Sequence, residues 1–184
     1  MEFQFDLVKT AQASAVLLAH SNGVMSRMRL LKLLYIADRE LLAETGRTLT
    51  GDRAVAMNYG PVLSHTYNLI KHMPRGWNRF IQSHGREVVL KEDPGHGQLT
   101  KREVDKLKEL SERFGSVSTS GISAYSHGFP EYAKNFVPDT STPIPWDDVL
   151  KGTEHEDKAR LYQARLEEQQ LIDSIFGGLT DAGG

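Results

Sequence analysis

The sequence predicts a mainly α, α+β fold: a compact helical domain around a central buried helix, with a small antiparallel sheet or hairpin and a charged C-terminal helix. Three observations predict it. Apolar residues recur at helical spacing through most of the chain. The stretch from Met28 to Ala37 is apolar nearly all round, as in a helix covered on every side by neighbours. Only short extended runs, near Ala54 to Tyr59 and Glu87 to Leu90, interrupt the helical pattern.

The elements follow in order. Leu7, Ala11, Ala15, Leu18 and Ala19 give an amphipathic first helix from about Asp6 to His20, closed by Gly23 as a C-terminal cap. Ser26 is placed to cap the central helix, Arg27 to about Glu44, which Gly46 terminates. Ala54 to Tyr59 reads as a strand. Pro61 then suits the first position of a helix running to about His72, because its missing N–H is not needed there. Arg79 to Gln82 and Glu87 to Leu90 read as a hairpin, followed by a loop to Leu99. Thr100 and Glu103 have the spacing of a capping box for a helix ending at Gly115. Ser118 caps a short helix to His127, and the proline-rich stretch from Phe129 to Trp146 reads as irregular. One more turn is expected over Pro145 to Leu150, then a charged helix from Glu154 to Phe176. The expected organisation is a domain over 1–152, the charged helix over 153–176 and a frayed tail over 177–184.

A chain of 184 residues can bury a core without disulfide or metal support. Net charge is −2 and the pI is near 6.4, which argues against non-specific nucleic-acid binding. There are no cysteines, so disulfides, thiolate catalysis and cysteine-based zinc sites are excluded and a reducing cytoplasm is the expected location. The acidic N-terminus does not read as a signal peptide, and no apolar run approaches the ~20 residues of a membrane span.

Local enzyme signatures are absent: no phosphate-binding loop, dinucleotide fingerprint, zinc-protease helix or nucleophile elbow. No two of the seven histidines stand at the i, i+4 spacing of a metal pair, and no cofactor or metal is expected. His127 reads either as a general base or partner contact, or as a histidine bonding the end of its helix. Glu154-His155-Glu156-Asp157 reads as a solvated helix start. Asp38, Arg39, Asp52 and Arg53 matter more. Asp38 and Arg39 directly follow an apolar run, so burial of at least one is expected, and a buried charge needs a partner. One reading makes these charges, with Tyr59, a surface that grips a partner or ligand. The other pairs Asp38 with an arginine, Arg53 being the candidate, to pin helix to strand. Both can hold together.

Several motifs stand in consistent order. They are Lys32-Leu33-Leu34-Tyr35-Ile36-Ala37-Asp38, Gly46-Arg47-Thr48-Leu49-Thr50-Gly51-Asp52, and Tyr59-Gly60-Pro61-Val62. Further on come Arg113-Phe114-Gly115, Ser118, Ser126-His127 and Pro143-Ile144-Pro145-Trp146-Asp147-Asp148. Over residues 7–150 the chain resembles the Panacea (SocA-like) antitoxin domain family, which includes phage-associated GepA-like proteins. That resemblance implies a cytoplasmic, non-enzymatic antitoxin that binds a cognate toxin protein encoded beside it. It also implies delivery to a ClpX-type protease as an alternative role. Asp38, Arg39, Asp52, Arg53, Tyr59, Gly60, Pro61 and His127 are then the residues expected to form the partner surface or the polar pin. A small hydrolase using His127 with Asp38 or Tyr59, and a DNA-binding repressor, are the competing classes.

Overall fold

The computed structural model describes residues 1–153 and, beyond them, Asp157, Arg160, Leu161, Ala164, Glu167, Glu168, Leu171 and Ser174. The last eight are helical and exposed. The remainder of the expected charged helix and the expected frayed tail lie outside the described residues.

The first helix, α1 (Leu7–Ala19), is capped by the Asp6 side chain, which accepts from the Lys9 N–H. The chain turns through Asn22 and Gly23, both at positive φ, into a three-residue strand β1 (Val24–Ser26). Ser26 then caps α2 (Arg27–Thr45), and Gly46 closes it in the left-handed conformation with φ of 74°. The helix α2 is the centre of the molecule. Leu30, Leu33, Leu34, Tyr35, Ile36, Ala37 and Leu42 are all buried, and α1 and three later helices, Lys101–Arg113, Thr119–His127 and Trp146–Lys151, pack around them.

A β-hairpin follows: β2 (Ala54–Met57) and β3 (Gly60–Leu63), joined by Asn58-Tyr59. Pro61 lies in β3, so it does not begin a helix. The helix α3 starts three residues later (Ser64–His72). The reason is local. Strand β3 is an edge strand, the position where a residue without an N–H is tolerated in a sheet. Gly60 holds φ of +97°, which leads out of the turn straight into extended pairing with β2.

After a short α4 (Arg75–Asn78), the expected second hairpin forms as β4 (Ile81–His84) and β5 (Glu87–Leu90). Strand β1 joins it in the antiparallel order β1-β5-β4. The helix α5 (Lys101–Arg113) carries the full capping box, and α6 (Thr119–His127) is capped by Ser118. The proline-rich stretch is not irregular throughout. Pro130 opens α7 (Pro130–Asn135), and Thr142–Ile144 forms β6, which pairs with β2. The second sheet therefore runs β3-β2-β6. The last element within residues 1–153 is α8 (Trp146–Lys151). Among the described residues the fold is mainly α with two small three-stranded antiparallel sheets, where a single sheet was expected.

Candidate functional site

The polar side chains of α2 are placed by helical spacing. Lys32, Tyr35 and Arg39 stand at i, i+3 and i+7, which puts them on one face, with Asp38 beside them. Each meets a different neighbour of the helix.

Asp38 is fully buried. It makes no pair with Arg53. Its Oδ1 accepts the backbone N–H groups of Leu49 and Thr50 at 2.6 and 2.9 Å, and its Oδ2 accepts the Thr50 hydroxyl. Two amides and a hydroxyl satisfy the carboxylate, so no arginine is needed. Burial nonetheless pushes this carboxyl up to about 7, against the hydrogen bonds from Thr50 and Leu49 that favour its charged form. The pin therefore joins α2 to the loop before β2. Arg53 is exposed; its backbone N–H bonds to Asp52 and its carbonyl accepts from Ser64.

Asp52 performs the second anchoring step. Its Oδ1 accepts the His65 N–H and lies 2.9 Å from His65 Nδ1, while Oδ2 accepts the N–H and hydroxyl of Thr66. A carboxylate at the start of β2 thus caps α3, whose own residue Leu63 offers no side-chain cap. The Trp146 indole donates to the Asp52 carbonyl at 3.0 Å and fastens α8 to the same point.

Arg39 finds its partner on α7. Its Nε and Nη2 reach the two oxygens of buried Glu131, at 2.7 and 3.4 Å, and Tyr35 donates its hydroxyl to the same carboxylate at 3.0 Å. The guanidinium also lies 4.2 Å above the Phe129 ring. Burial, then the charge of Glu131, raise the Tyr35 phenol well above its ordinary range, so it stays a donor.

Lys32 is fully buried and points at β3, where its Nζ donates to the Pro61 carbonyl at 2.7 Å. Burial pulls its ammonium down to about 7. Gly60 lies directly over it. A Cβ at position 60 would stand 2.6 Å from Lys32 Nζ and 2.7 Å from His127 Cδ2, and φ of +97° would strain any residue with a side chain, so the position calls for glycine. His127 is exposed and stacks on Tyr132 at 4.9 Å, and Tyr132 donates to the Met57 carbonyl. His127 shares no hydrogen bond with Asp38 or Tyr59, so the structure does not assemble the hydrolase arrangement. Among the described residues no group of three or more His, Cys, Asp or Glu side chains is placed to hold a metal ion.

Tyr59 stands at the tip of the β2–β3 turn and is 72% exposed. It borders a cavity of about 400 Å³ between the start of α2, the turn and α3.

These motif residues coincide with a known pattern: the family described as Antitoxin SocA-like, Panacea domain, matches residues 30–132. The chain belongs to this family. The Panacea match covers more than half of the chain, from within the central helix into the first turn of α7, and contains Lys32, Asp38, Asp52, Tyr59, Gly60, His127 and Glu131. No curated protein and no solved structure matches the chain.

Sequence reasoning missed Glu131 as Arg39's partner and passed over Lys32 as a site. Glu131 follows Pro130 and looks like an ordinary acidic first turn. Lys32 carried a usable signal, since it is a lone cation inside a run of leucines. No helix among the described residues is long and apolar enough to cross a membrane.

Proposed function

We propose that the chain is an antitoxin that neutralises a cognate protein toxin by binding it directly. Membership of the Panacea domain family supports this reading, and one observation carries it to a surface. Most of the motif residues are consumed inside the fold: Asp38 and Asp52 hold loops and helix ends, Arg39 holds α7, and Gly60 and Pro61 meet Lys32. Tyr59 is not. It is the one large side chain of the Tyr59-Gly60-Pro61-Val62 motif that points into solvent, on a turn fixed from below. An exposed aromatic on a rigid frame is the usual anchor of a protein interface.

The test is co-expression with the product of the adjacent gene, read by growth and by co-purification. The reading predicts that the neighbour is toxic alone and harmless when it co-purifies with this chain. A benign neighbour that does not co-purify overturns it. Repeating the assay with and without the ClpXP protease separates masking from degradation, and direct neutralisation predicts equal protection in both strains.

A further inference from the structure

We propose that the groove beside Tyr59 receives an apolar segment of the toxin that carries carboxylate side chains. This inference rests on the antitoxin reading above and names the surface and the partner chemistry.

The groove is a cavity of about 400 Å³, a volume within the range of binding clefts. Its walls are apolar, with Met28 of α2, Met57 of β2 and Ile70 of α3 among them. Methionine walls are pliable and suit a surface that accepts side chains of varied shape. Two exposed tyrosines, Tyr59 and Tyr67, stand at it, so the apolar surface continues outward from the cavity.

Charge fixes the chemistry of the occupant. The charged residues lining the groove are Arg27 and Lys71, both exposed and both cationic. Some basic side chains elsewhere on the surface meet carboxylates, as Arg79 meets Glu92, Lys101 meets Asp105 and Lys134 meets Asp148. Among the described residues neither Arg27 nor Lys71 forms such a pair. A segment with apolar side chains for the walls and carboxylates for the rim satisfies both halves of this surface. Nucleic acid fits less well, because two rim cations on a chain of net charge −2 are too few to track a phosphate backbone, and bases have no use for a methionine-walled cavity.

The experiment uses the full chain and the adjacent gene's product as the probe. Affinity is measured by calorimetry at low and high salt for wild type, Tyr59→Ala and the double variant Arg27→Glu/Lys71→Glu. All three positions are exposed, and circular dichroism and thermal melts verify that the variants fold. A benzophenone photocrosslinker at position 59, read by mass spectrometry, identifies the contacted segment. The expected results are a loss of about tenfold or more in affinity for each variant, salt sensitivity that disappears in the double variant, and a crosslinked segment containing apolar residues with Asp or Glu. Reversing those partner carboxylates to lysine restores binding to the double variant. If wild type neutralises the toxin and both variants bind within about twofold of it, the groove proposal falls and the antitoxin reading stands. A crosslinked segment without carboxylates overturns the stated chemistry. If the variants lose binding to duplex DNA or RNA while toxin binding is unchanged, the groove serves nucleic acid and the proposal is overturned. If wild type binds no neighbour, both readings fall together.

Discussion

Lys106 lies on α5 and faces the C-terminal half of α2, while Lys32 lies on α2 itself and faces β3. Both are buried. Lys106 is surrounded by carboxylates, with Glu40, Glu44 and Glu109 at 3.0, 2.8 and 3.0 Å. Burial pulls its pKa down, and the hydrogen bonds that its ammonium donates to Glu44, Glu109 and Glu40 outweigh that pull and leave it raised. Lys32 has the Pro61 carbonyl, and burial lowers it to about 7. The difference separates two uses of a buried cation. Lys106, with Arg102 bonded to Glu44 and Arg113 to Glu40, clamps two helices. Lys32 braces an edge strand with an amine bonded to a backbone carbonyl, and it does so directly under the turn that displays Tyr59.

Asp38 supplies the upper bound for this comparison, because it is a buried charge on the same helix with every oxygen occupied. Asp38→Ala strands two backbone amides and a hydroxyl, and a cost of about 3–5 kcal/mol is expected in denaturant melts. Asp38→Asn keeps an acceptor for both amides and costs about 1 kcal/mol. The pH dependence separates the two variants from wild type. With its pKa raised to about 7, Asp38 keeps in the folded state a proton that the unfolded chain loses above its ordinary value of 3.8. Its contribution to stability is therefore full below that value and is lost as pH rises through about 7. The asparagine variant lacks this falling limb.

Lys106→Met is expected to cost about 2–3 kcal/mol, since it leaves Glu40, Glu44 and Glu109 crowded together with only Arg102 and Arg113 to compensate. The glutamates are partly solvated, which holds the loss below that of a fully buried pair. A loss under about 0.5 kcal/mol would show that the clamp is ornamental and would collapse the contrast with Lys32.

How far these roles were legible in the sequence follows from what each bond is made of. Caps were legible, because Ser26, the Thr100 and Glu103 pair, Ser118 and Gly46 act on backbone within four residues of themselves. The β4–β5 hairpin and the turn at α8 were legible for the same reason. Pro61 misled because the same missing N–H suits a helix start and an edge strand, and choosing between them needs the β2 partner. Strands β1 and β6, at three residues each, are too short to show a period. At the site, burial of Asp38 was readable from the apolar run before it, but its partners were not. Backbone amides carry no residue signature, so an arginine was the partner that sequence could offer. Glu131 is 92 residues from Arg39, and nothing local joins them.

Lys32→Met is expected to escape the loss expected of Lys106→Met. It removes a buried charge and a single hydrogen bond, so stability near pH 7 is expected to change by less than about 1 kcal/mol, and a gain is permitted. The pH profile decides the matter. Between about pH 7 and 10.5 the unfolded chain holds a proton that folded Lys32 has lost. Wild-type stability therefore rises with pH across that window relative to the variant, and the penalty of burying the charge is fully present below it. A wild-type curve parallel to that of Lys32→Met would show that the amine is neutralised by something else.

Tyr59→Ala is the smallest expected effect on stability and the sharpest test of the contrast. The side chain is 72% exposed, and its loss should move the melting midpoint by no more than about 0.5 kcal/mol equivalent. If Lys32 and Gly60 exist to hold the turn in place for a partner, the same substitution must weaken toxin binding far more than it weakens the fold. Lys32→Met should then reduce binding as well, through a loosened turn, while leaving the rim charges of Arg27 and Lys71 untouched. Binding lost in Tyr59→Ala but retained in Lys32→Met would separate display from bracing: the tyrosine would act alone, and the buried amine would serve only the edge of the sheet.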